Sequence, residues 1–87
     1  MKIKNGFVLR TVAGENIVMV IGRASRLLNG MIKLNSSGAM LWKLLKAGAE
    51  RADLTNALQE QYGISAEQAE KDVEAFLATL NQVGCIE

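Results

Sequence analysis

The sequence predicts an α+β domain, a three-stranded antiparallel sheet followed by three helices. Two observations carry this. Residues 6–34 hold β-branched and aromatic runs separated by glycine-bearing turns, whereas from Met40 onward apolar residues recur three and four apart. The 87 residues suffice for one domain spanning 1–87 with a single core, and no low-complexity tract interrupts them.

The first strand is expected over 6–12, "GFVLRTV", and the second over 16–21, "NIVMVI". Ala13-Gly14-Glu15 is a short glycine-bearing connection between them, which predicts a hairpin. The uninterrupted run Ile17 to Ile21 predicts a central strand covered on both faces. A third strand, Met31 to Leu34, follows the turn-favouring pair Asn29-Gly30. It passes straight into a helix, for which Asn35 or Ser36 supplies the cap.

Met40, Leu41, Leu44 and Leu45 give that first helix its period, with Trp42 beside them as a core anchor, and Gly48 ends it. The second helix, about 51–62, carries Leu54, Ala57, Leu58 and Tyr62 and stops at Gly63. The third opens on Ser65-Ala66-Glu67-Gln68, a capping box in which Gln68 reaches back to the Ser65 amide. Its buried stripe is Ala69, Val73, Phe76, Leu77, Leu80 and Val83. Its exposed face carries Glu67, Glu70, Asp72 and Glu74, with Glu67 and Lys71 an i,i+4 pair. Gly84 closes it, and Cys85-Ile86 adds a short extended tail. Helix, turn, helix at this end also fits a winged helix-turn-helix order.

The net charge of +1 conceals an asymmetry. Residues 1–46 hold eight Lys or Arg against the single acid Glu15, giving +7, and residues 47–87 hold two against eight acids, giving −6. The two halves either neutralise each other by packing or present a basic surface to an acidic partner. No basic-then-apolar leader and no long apolar run appears, so neither export nor membrane spanning is expected. The single cysteine, Cys85, has no internal partner for a disulfide, which fits a cytoplasmic location.

The chemistry of the residues argues against an enzyme. The chain has no histidine, which removes the commonest general base, the Ser-His and Cys-His nucleophile pairs, and most zinc sites. No cofactor is expected. No glycine run has phosphate-loop spacing. Nucleic acid is a poor partner as well, because a last helix with four acids and one lysine would be repelled by phosphates. A winged-helix DNA-binding regulator is one alternative, and a structural subunit that docks on an enzyme through the apolar strand 17–21 is another.

The stretches "LNGMIKLNSSGAMLWKLLKAGAE", "LTNALQEQYGIS" and "DVEAFLATLNQVGCIE" together resemble the PqqD-like family, also called RiPP recognition elements, over about residues 30–87. The resemblance implies the same three strands and three helices in winged-helix-like order. It further implies a non-catalytic adaptor that binds the leader region of a ribosomally made precursor peptide and presents it to a modifying enzyme, often a radical S-adenosylmethionine protein. The loop 22–28, "GRASRLL", is longer and more basic than the family's short turn, and Glu50-Arg51-Ala52 caps the second helix poorly.

In such proteins the peptide lies as an extra strand against the third strand, in a groove shared with the third helix. The implied binding residues are Met31, Ile32, Lys33 and Leu34 on the strand edge, with Lys71, Glu74, Ala75 and Ala78 along the helix. Ala75 and Ala78 either leave room for a peptide anchor or serve helix propensity alone. Lys33, with Arg23 and Arg26, would attract an acidic leader, chiefly raising its on-rate. An unpaired edge also allows a homodimer.

Overall fold

The computed structural model describes residues 1–20 and 32–86. Three strands, β1 (Phe7–Val12), β2 (Glu15–Val20) and β3 (Ile32–Leu34), precede three helices, α1 (Ser36–Ala47), α2 (Arg51–Tyr62) and α3 (Ala66–Gln82). The order in the antiparallel sheet is β1-β2-β3, so the predicted α+β class and element order are found. Met31 and the loop 22–28, including Arg23 and Arg26, lie outside the described residues.

The hairpin register, Val12 opposite Glu15, leaves a two-residue turn of Ala13 and Gly14. Both have positive φ, 52° and 79°, the handedness that matches the twist of the flanking strands. Glu15 therefore begins β2 rather than belonging to the turn. Alternation sends Phe7, Leu9, Val18, Val20, Ile32 and Leu34 to one face of the sheet, where they join the helices' core. Trp42, Leu45, Leu54, Leu58, Val73 and Leu80 fill that core, as their periodicity predicts.

Three details differ from the sequence expectations. Within β2 only Val18 is fully buried, and its neighbours Ile17 and Met19 stay partly exposed on the far face. A central strand in a small antiparallel sheet has helices on one side only, so the expected second cover is absent among the described residues. The start of α2 is better held than Glu50 suggests, because the Asp53 carboxylate accepts the Glu50 amide at 2.9 Å. The bond comes from the side chain at the third helical position, Asp53, reaching back to the N-cap residue. In α3 the Ser65 hydroxyl accepts the Gln68 amide at 3.1 Å, but the Gln68 side chain donates to Asp72 at 2.8 Å instead of folding back. The tail is extended as expected, and Ile86 bridges Ile3.

Candidate functional site: an open strand edge beside a cleft

With β2 in the centre, β3 is an edge. It pairs through Asn16 with Leu34, Ile17 with Lys33 and Val18 with Ile32, and its outer side faces no further strand among the described residues. An open edge carries unpaired amide and carbonyl groups and is a template for another strand. Ile32 and Leu34 point toward the helices and are partly buried, whereas Lys33 points away, exposed, with Nζ 2.6 Å from Glu15. A surface pair of this kind is worth only about 0–1 kcal/mol, so it decorates the edge without closing it.

The junction after β3 is rigid because four residues are interlocked. The Asn35 carboxamide oxygen caps α1, accepting the Gly38 amide at 2.8 Å and the Ser37 hydroxyl at 2.9 Å. A Cβ at Gly38 would sit 3.1 Å from that oxygen and 3.4 Å from the Leu34 Cβ, so the helix start is pressed directly onto the strand end. No linker length remains to let the edge swing.

A cleft of about 380 Å³ opens at this junction. Leu58 forms its floor, Tyr62 and Ile64 one wall, and Ser36, Ser37 and Asp72 its polar rim. Tyr62 is 46% exposed, so much of its ring is open to the cleft's solvent side. A larger cleft of about 740 Å³ lies between α2 and α3, walled by Arg51, Glu70 and Glu74. Its lining has no large apolar side chain, so it provides no hydrophobic anchor.

The predicted residues are therefore divided. Ile32, Lys33 and Leu34 share the open edge. Lys71, Glu74, Ala75 and Ala78 are exposed on α3, and none lines the cleft beside β3. Glu74 faces the α2 cleft, Lys71 lies 3.9 Å from Glu67, and Ala75 and Ala78 face away from the buried stripe. The flank of α3 turned toward the junction carries Asp72 and, one turn on, the partly buried Phe76. Periodicity marks both flanks of a helix equally; only the position of β3 tells them apart.

The family model for coenzyme PQQ synthesis protein D (PqqD) matches residues 10–86. Comparison with curated proteins gave no match. Among solved structures, TbiB1 in complex with the TbiA(beta) leader peptide has a similar fold, with TM-score 0.80 and 22% identity, covering 100% of this chain and 95% of that one. Lasso peptide synthetase B1 complexed with the leader peptide is also similar, with TM-score 0.76 and 20% identity, covering 97% and 93%.

Proposed function

Since the chain belongs to the coenzyme PQQ synthesis protein D (PqqD) family, we propose that it is a non-catalytic adaptor that binds the leader region of a precursor peptide by strand addition to β3. The observation that carries this is the open β3 edge, locked to α1 and flanked by the cleft of Leu58, Tyr62, Ile64 and Asp72. Both structural neighbours are themselves leader-peptide complexes. The four exposed acids along α3, Glu67, Glu70, Asp72 and Glu74, support the same reading over duplex DNA, whose phosphates they would repel.

Magnitudes divide the work. Roughly four or five strand hydrogen bonds contribute about 0.5–1.5 kcal/mol each, while ordering each peptide residue costs about 1–2 kcal/mol. The ladder thus sets register and little else. Affinity comes from apolar anchors, each worth about 1.5–3 kcal/mol when buried, placed over Ile32, Leu34 and the cleft floor. In this proposal Met31 extends the edge, and Asp72 and Phe76 form the helical wall in place of Lys71, Glu74, Ala75 and Ala78.

The adaptor then presents the peptide to a modifying enzyme. The family resemblance favours a radical S-adenosylmethionine protein, and the neighbour described as a lasso peptide synthetase component favours enzymes of lasso-peptide assembly. Co-purification with the enzymes encoded beside this chain decides between them. The adaptor role itself is tested by fluorescence anisotropy with the labelled leader of the neighbouring precursor. Saturable binding is expected, lost on scrambling the leader; equal binding of both peptides, or of neither, contradicts it.

A further inference from the structure

The sheet face turned away from the helices is unusually apolar. A sheet covered on one face is expected to show polar residues on the other. Here Val8, Ile17 and Met19, each half-buried, and the exposed Val12 point outward, and among the described residues none of them packs against the core. Val8 opposes Met19 directly and Arg10 opposes Ile17, so the apolar side chains adjoin around one guanidinium. Val12 is 51% exposed.

The charge on this face is equally specific. Glu15 is the only acid in residues 1–46, and Lys33 already holds it at 2.6 Å. Arg10 is exposed and has no ion-pair partner among the described residues, and residues 21–31 contain no acid that could supply one. The face thus combines an apolar surface with an unopposed cation.

We propose that this outer face docks the modifying enzyme, through an apolar patch on that enzyme bearing a carboxylate opposite Arg10. The inference rests on the adaptor function proposed above. A second copy of this chain fits less well, because a two-fold contact repeats Arg10 on both sides and brings no unpaired acid. A strand added to β3 continues the sheet, so alternate leader side chains emerge on this same face, next to Lys33. The enzyme then touches adaptor and leader together, and each strengthens the other's binding by the same factor. The outward-facing set is seven residues, Val8, Arg10, Val12, Glu15, Ile17, Met19 and Lys33. A stable interface uses roughly 20–30 residues a side, so the contact is a transient one, as an adaptor that must release its cargo requires.

The test uses the full chain, the purified modifying enzyme encoded beside it and the labelled leader of the neighbouring precursor. Arg10→Glu and Ile17→Lys, each checked for folding by circular dichroism, should weaken enzyme binding about ten-fold or more while leader affinity stays within about two-fold. Arg10→Lys should recover most of the loss, since the contact needs a cation. Folded variants that bind the enzyme like the parent overturn the proposal. So does sedimentation showing that they dissociate a dimer of the parent with enzyme affinity unchanged. Should the parent bind the enzyme but not the leader, the docking surface stands and the leader-binding function fails.

Discussion

Single residues set the local geometry, and three of them allow sharp tests. Ala13 occupies a left-handed conformation, φ 52°, in a turn that favours asparagine before glycine. Left-handed backbone costs a residue with a Cβ about 1–2 kcal/mol, so Ala13→Asn should raise stability by about 0.5–1 kcal/mol in chemical denaturation. Gly38→Ala should show the opposite of the usual helix rule. Replacing a helical glycine ordinarily gains about 1 kcal/mol. At this site the new methyl meets the Asn35 cap oxygen and Leu34, and a disturbed cap costs about 0.5–2 kcal/mol. No gain in stability is expected. At Cys85 burial raises the thiol pKa from 9.0 to about 11, with nearby Lys4 opposing it weakly. The folded state therefore holds the thiol proton more tightly than the unfolded one. That contribution is fully present below pH 9 and is lost as pH rises toward 11. Urea midpoints measured across this window should fall, and reaction with a thiol reagent at neutral pH should be slow until the protein unfolds.

The elements were largely legible from sequence, because each one is punctuated. Gly48 and Gly63 close α1 and α2, Asn35 and Ser65 open α1 and α3, and apolar spacing does the rest. What periodicity does not contain is which flank of a helix meets which strand. Lys71, Glu74 and Ala78 share one flank of α3, and Asp72 and Phe76 share the other, with the same buried stripe between them. The outer face of β2 was ambiguous for a related reason: Ile17 and Met19 look like core residues in a sequence, and a face that meets a partner has the same composition as a core. A bulky substitution on each flank of α3 distinguishes the two assignments. Asp72→Trp should fill the cleft beside β3 and weaken leader binding about ten-fold or more in an anisotropy titration. Ala78→Trp, on the opposite flank, should leave the affinity within about two-fold.

At the scale of the whole molecule, the described residues share one core, so every large buried side chain matters to the function that depends on it. Domains of this kind are stable by about 5–15 kcal/mol, and truncating a buried leucine removes about 2–5 kcal/mol. Leu80→Ala, at 0% exposure, should shift the denaturation midpoint strongly and reduce the folded fraction available to any partner. Charge is polarised along the sequence as well. The basic residues lie chiefly in the strand half and the acidic ones in the helical half, so an acidic leader approaching β3 is steered by a field that salt screens within about 10 Å at 0.1 M. Its on-rate should fall with ionic strength while its off-rate, governed by apolar anchors, changes little. In the proposed function the leader becomes a fourth strand on β3. The most direct measurement is the amide spectrum of labelled protein at saturating leader peptide, together with amide hydrogen exchange. Strand addition should give shifts and new protection at Ile32, Lys33 and Leu34, with further shifts at Asp72 and Phe76. Saturation that leaves residues 32–34 unmoved and unprotected, with changes confined to Glu70 and Glu74 between α2 and α3, would contradict it.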